Sequence, residues 1–199
     1  MERIKPKDMA LVQMLLSLNK PFFSPADLEK ILEQQRPALY VTLNRLVRYG
    51  VLVRLRRGVY QVTLRSPDSA HIANMLVYPS YLSFESALSR YGILSQVPYT
   101  LAFATTHRSR RLTLGDTVVE FHQLKGELFF GYTLHDRLYV AEAEKALLDQ
   151  FYLATRGLTS IALDELELSS LDANRLRTYA GRFPVAVQAT VQQVLTRGG

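Results

Sequence analysis

The chain contains no cysteine. That excludes a disulfide, a zinc–thiolate site and a cysteine nucleophile. Histidine is scarce. His71, His107, His122 and His135 stand far apart, without metal-ligand spacing, and are expected at the surface or half-buried. No run of about eighteen apolar residues occurs, which excludes a transmembrane helix. There is no Gly-x-Ser-x-Gly elbow and no glycine-rich phosphate loop. The most informative absence is local. Between Gln34 and Pro67 the chain has no Asp or Glu, yet seven arginines fall there: Arg36, Arg45, Arg48, Arg54, Arg56, Arg57 and Arg65.

Charge is divided along the 199 residues, a length that suits one large domain or two small ones. Residues 1–65 carry 12 Lys+Arg against 5 Asp+Glu, net +7, and residues 66–199 carry 12 against 13, net −1. The asymmetry points to a polyanionic partner for the first third only. The apolar run Met9–Leu18 follows Arg3, Lys5 and Lys7, in the outline of a signal peptide. No small-residue cleavage site follows it, and Met9, Val12, Leu15 and Leu16 recur at helical spacing. It reads as a first helix over Lys7–Leu18, and a cytoplasmic protein is expected.

The spacing predicts two further helices. Ser24 caps one, with Pro25 at its first position, Asp27 as capping-box partner and Leu28, Ile31 and Leu32 inward. The turn Glu33–Arg36 precedes the other, which buries Leu39, Leu43, Leu46 and Val47 and ends at Gly50. Its outer face shows Ala38, Tyr40, Val41, Asn44, Arg45 and Arg48. Two short strands follow, Val51–Leu55 and Val59–Val62. Gly58 permits the turn between them, Val53, Leu55, Tyr60 and Val62 face the core, and Arg54 and Arg56 face outward. Arg65–Asp68 marks a boundary, giving domains 1–66 and 67–199.

Beyond it, helices are expected over Ser69–Val77 and Ser80–Tyr91, the second with Leu82, Ala87, Leu88 and Tyr91 inward and Gly92 as its stop. Strands are expected over Tyr99–Thr105, Leu112–Leu114, Val118–Leu124 and Leu128–Leu134. Val140–Leu153 returns to helix, and two or three more helices lie between Leu163 and Leu195. The fold class is α+β: an N-terminal winged helix-turn-helix, then an α+β domain with a small sheet flanked by helices.

A helix pair followed by a basic hairpin suits a helix in the major groove and a wing on phosphates. Arg36, Tyr40 and Asn44 are candidates for base edges, since Arg pairs with guanine and Asn with adenine. Tyr40 equally suits covering apolar surface. Arg45 and Arg48 share that helix, and Arg54, Arg56 and Arg57 suit phosphate or minor-groove contact. The winged helix also occurs as a protein-binding scaffold.

The second domain offers weaker chemistry. A metal-dependent nuclease would place an acid two residues before Lys145, where Ala143 stands. Lys145 and Asp149, at i and i+4, read as a surface pair on a solvated helix face. Ser83, Ser86, Thr105 and Thr106 near His107 form no ordered triad. An enzyme would need Asp116, Glu120 or Glu144 to converge in one cleft. Arg108-Ser109-Arg110-Arg111 is a basic cluster in an expected hairpin tip, solvated or a second nucleic-acid contact. No catalytic residue, metal site or cofactor is expected.

Four stretches, in order, resemble the AbiEi-type antitoxins. They are Arg45–Tyr60, with Gly50-Val51-Leu52 and Arg57-Gly58-Val59-Tyr60; Tyr81–Gly92, with Ser86-Ala87-Leu88; Phe121-His122; and Glu144-Lys145-Ala146-Leu147-Leu148-Asp149. The resemblance spans roughly residues 8–155. It implies a toxin–antitoxin or phage-defence system of the fourth type, whose antitoxin represses its own operon through the N-terminal winged helix. The implied partners are double-stranded DNA of its own promoter, with inverted repeats, and a co-encoded nucleotidyltransferase toxin countered without a stable complex. Relatives that lack a toxin are plain regulators.

Overall fold

The computed structural model describes residues 6–64 and 68–197. The chain divides into two compact units, Met1–Ile72 with Thr113–Asp116, and Ala73–Leu112 with Thr117–Gly199. The boundary expected at 66/67 falls on residues 65–67, outside the described residues, as do Arg3, Lys5 and Arg65.

The first unit runs α1 (Pro6–Ser17), α2 (Pro25–Leu32), α3 (Arg36–Arg48), β1 (Leu52–Arg56) and β2 (Val59–Val62). Asn19, in the left-handed region at φ 49°, turns the chain out of α1. Phe23 then pairs with β2, its N–H donating to Tyr60 O at 2.7 Å and its O accepting from Tyr60 N–H at 2.9 Å. The core gathers Leu15, Phe23, Leu28, Leu39, Leu43, Leu46, Val51, Leu52, Tyr60 and Val62. The inward stripe of α1 is Leu11, Val12, Leu15 and Leu16, and Met9 is exposed. One expectation for this unit is corrected. Val53 is exposed and Leu52 takes its place in the core. The cause is a bulge: Arg54 pairs with Tyr60 and Arg56 with Val59, leaving Leu55 as the extra residue. A bulge shifts the in–out alternation, so Leu52 and Leu55 both turn inward while Val53 and Arg54 turn out.

After α4 (Ser69–Leu76) come β3 (Ser80–Leu82), α5 (Phe84–Arg90), β4 (Thr100–Thr105), β5 (Arg110–Leu114), β6 (Thr117–Gln123), β7 (Tyr132–His135), β8 (Leu138–Ala141), α6 (Ala143–Thr155), α7 (Ala173–Ala180) and α8 (Val185–Arg197). Short 3₁₀ turns occupy Gly126–Leu128 and Leu163–Glu165. The sheet order is β5-β6-β4-β3-β8-β7. β4 is antiparallel to β3 and parallel to β6, while β8 is parallel to β3 and antiparallel to β7. The class is mixed α+β.

Three stretches depart from the expected elements. Ser80–Leu82 is a strand, not the start of a helix, because all three residues are buried between β4 and β8 and show no alternation. Tyr91, expected inward, is exposed, although its hydroxyl donates to Ala141 O at 2.9 Å. Leu128–Leu134 is no single strand: the 3₁₀ turn and Gly131 at φ 66° break it before β7. Leu138–Ala141 is strand, and α6 begins only at Ala143. Among the described residues no helix is long and apolar enough to cross a membrane.

Candidate nucleic-acid interface

The site is built from α2, the turn after it, α3 and the β1–β2 hairpin. Ser24 starts α2 in extended geometry and accepts from Asp27 N–H at 3.1 Å, while Asp27 Oδ2 accepts from Ser24 N–H at 2.9 Å. This reciprocal box satisfies two backbone donors that a helix start leaves unpaired. Lys20 Nζ donates to Asp27 Oδ1 at 2.6 Å. Burial would raise the Asp27 carboxyl, but the hydrogen bonds from Lys20 and Ser24 outweigh it and hold the group below the usual carboxylate value.

A stability prediction follows from this box. Asp27 is more acidic folded than unfolded, so its contribution is complete above the unfolded value and fades as pH falls through the folded one. Asp27→Ala is expected to cost stability at pH 7 and much less near pH 3, and Ser24→Ala to cost about 1 kcal/mol at pH 7. Urea midpoints at the two pH values check this. An equal loss from Asp27→Ala at both goes against it.

Glu33 closes α2 at φ 50°, and Thr42 Oγ1 donates to Gln34 Oε1 at 2.9 Å, tying the turn to the next helix. Pro37 is tolerated in the first turn of α3, where an N–H has no partner to lose. Leu39, Leu43 and Leu46 are fully buried. The opposite side has Pro37, Ala38, Tyr40, Val41, Asn44 and Arg48 exposed, with Arg36 exposed and Arg45 half-buried. α3 carries no acidic residue.

Arg36 is not aimed solely at solvent. Its Nε lies 3.7 Å from Glu29 Oε2 on α2. In the hairpin, Arg54 and Arg57 are exposed and Arg56 is half-buried. Arg57-Gly58 is the whole turn, because Arg56 pairs directly with Val59. Gly58 stands at φ 80°, a conformation that strains any other residue, although a Cβ would meet nothing closer than Pro25 Cδ at 3.9 Å. Tyr40, Asn44 and Arg48 thus lie on one outward face of α3, and Arg36 and Arg45 at its margins. Val41 also occupies this outer face and is 70% exposed. Chemistry-first reading passes over it, because valine carries no hydrogen-bonding group.

In the second unit the structure overturns the reading of Lys145 and Asp149 as a surface pair. Both side chains are 0% exposed. Lys145 Nζ donates to Asp149 Oδ1 and to Tyr81 Oη, the latter at 2.8 Å. Asp149 Oδ2 accepts from Tyr81 Oη at 3.0 Å and from Ser83 Oγ at 2.8 Å. The rings of Tyr81, Phe130 and Phe183 surround the ammonium with centroids 5.2–5.3 Å away. Burial pushes Lys145 below its ordinary value and Asp149 above its own; their mutual attraction opposes both shifts.

The other candidate groups have structural partners. Ser86 Oγ accepts from Ala102 N–H at 2.9 Å, and Thr105 Oγ1 donates to Pro79 O at 2.8 Å. Glu120 lies 3.6 Å from Arg111 and 3.7 Å from His122. Glu144 accepts from Asp172 N–H at 2.9 Å and faces Arg175 at 3.6 Å. Among the described residues no three His, Cys, Asp or Glu side chains are grouped to hold a metal ion. Arg108, Arg110 and Arg111 are exposed where the chain enters β5, and Arg111 is partly neutralised by Glu120. Ser109 joins His122, Lys125 and Arg156 along a cleft of about 600 Å³. Burial lowers the His122 imidazole, against the pull of Glu120 and Glu85.

No curated protein matches the chain. Residues 11–63 match a family model whose description is transcriptional regulator, AbiEi antitoxin.

Proposed function

We propose that the chain is a cytoplasmic DNA-binding autorepressor and the antitoxin of a type IV toxin–antitoxin system. Residues 1–66 act as a winged helix-turn-helix on inverted repeats in its own promoter. Residues 67–199 counter a nucleotidyltransferase toxin without a stable complex. The observation that carries this reading is the outer face of α3 and its hairpin. It is basic, acid-free and exposed, and it lies in the stretch that matches a transcriptional-regulator family. On this reading α3 enters the major groove and the Arg57-Gly58 turn rides on phosphates.

Salt dependence tests it. Each phosphate contact neutralised by Arg contributes about 0.9 to the slope of log K against log salt. Arg57→Ala is expected to weaken binding to promoter and random duplexes alike and to flatten that slope by about one unit. Asn44→Ala is expected to cost roughly 1–3 kcal/mol on the promoter and little on random DNA. Titration of the full chain at several salt concentrations measures both. Salt-insensitive binding, or none at low salt, sinks the reading.

A further inference from the structure

The outer face of α3 has an apolar centre that charge does not explain. At about 100° per residue, Pro37, Val41, Asn44 and Arg48 form one stripe, i, i+4, i+7, i+11. It lies opposite the buried stripe of Leu39, Leu43 and Leu46. Val41 is therefore at the crest of the helix, 70% exposed, with Tyr40 beside it 47% exposed. Valine is also a weak helix former, so neither packing nor propensity accounts for it there. Arg36 at the margin near Glu29 and the half-buried Arg45 lie off the crest, and Arg48 ends the stripe at the last position of the helix. Around Val41 the crest therefore offers an apolar surface and one side-chain amide, with no guanidinium until the end of α3.

Those two groups match one base pair type. Thymine is the base that presents a methyl in the major groove, and apolar side chains read it. Asn pairs with the N6 and N7 edge of adenine, whereas guanine calls for Arg or Lys. α3 and the β1–β2 hairpin carry no acidic residue, and their six arginines, Arg36, Arg45, Arg48, Arg54, Arg56 and Arg57, suit a polyanion. We infer that Val41 is a specificity-determining residue that reads the 5-methyl of thymine, next to an adenine read by Asn44, so that each half-site is centred on A·T pairs. The inference rests on the DNA-binding reading above.

The experiment uses the full chain and its promoter duplex, with each thymine replaced in turn by deoxyuridine, which removes the methyl alone. Burying one such group is worth about a fourfold change in affinity. Wild type is expected to lose about that factor at one or two positions per half-site. Val41→Ser should bind the thymine duplex as weakly as wild type binds the uracil duplex, and show no further loss on uracil. Val41→Thr, which keeps a methyl, should restore the discrimination. Val41 is exposed, so circular dichroism melts of the variants are expected to match wild type. Salt-sensitive promoter binding that ignores every uracil, or a thymine-to-uracil ratio unchanged in Val41→Ser, overturns the inference and leaves the DNA-binding reading standing. Loss of self-association in Val41→Ser with unchanged DNA affinity overturns it as well, marking a protein contact. Failure to bind any duplex at low salt overturns both.

Discussion

Lys145→Met is expected to unfold most of the second unit at temperatures where the native chain is intact. The substitution leaves the Asp149 carboxylate fully buried, with only Tyr81 and Ser83 as donors. Removing one partner of a buried ion pair costs about 3–5 kcal/mol, against a total stability of about 5–15 kcal/mol for a domain. Asp149→Leu should be comparably harmful, since it strands the ammonium among Tyr81, Phe130 and Phe183. The pair itself is a different matter. Burial moves both groups toward their neutral forms, so desolvation outweighs their mutual attraction in each. The double variant Lys145→Met, Asp149→Leu should therefore be more stable than either single one. It should still fall short of wild type, because the Tyr81 and Ser83 hydroxyls lose their acceptor at about 1–3 kcal/mol each. Urea unfolding followed by circular dichroism ranks the four proteins. A double variant no better than the worse single variant would falsify the argument.

The same pair shows where sequence reading loses its grip. An i, i+4 Lys–Asp pair reads as an ordinary pair on the solvated face of a helix. In fact residues 144–153 are buried without interruption. Their apolar members, Ala146, Leu147, Leu148, Phe151, Tyr152 and Leu153, surround the helix instead of lining one side, which is the mark of a buried helix. That signal was available, but the two charges masked it. Ser80–Leu82 and Leu138–Ala141 fail for a related reason. A short strand buried on both faces lacks the period of two and resembles a helix fragment. The first unit was more legible because its signals are local. The Ser24–Asp27 box, the Leu39–Leu43–Leu46 stripe and the turn at Gly58 each act over a few residues. Leu55 is the exception there: its bulge depends on cross-strand pairing, which no single strand announces. The tie between Arg36 and Glu29 likewise emerges only once α2 and α3 are placed together.

Repression and protection are expected to separate when the hairpin loses its arginines. The motivation is the division of charge, net +7 over residues 1–65 and net −1 over residues 66–199. On the proposed reading the first stretch holds the polyanion. The resemblance to the antitoxin pattern at Tyr81–Gly92 and Glu144–Asp149 lies wholly in the second. Arg54, Arg56 and Arg57 contribute no buried side chain to the core, so their joint replacement by Ala should leave the fold intact. Losing three phosphate contacts lowers the salt slope by about three units and, at physiological salt, affinity by orders of magnitude. The triple variant should therefore fail to repress a reporter driven by its own promoter. In cells that express the proposed nucleotidyltransferase toxin from a foreign promoter, the same variant should restore growth as well as wild type does. The physical reason is that a hairpin on DNA and a surface that acts on a toxin, or on its target, need share no residue. Growth and reporter activity are measured on the same strains, with protein abundance followed by immunoblot. Loss of rescue at normal abundance means that the hairpin arginines themselves take part in protection, and that the two activities do not separate.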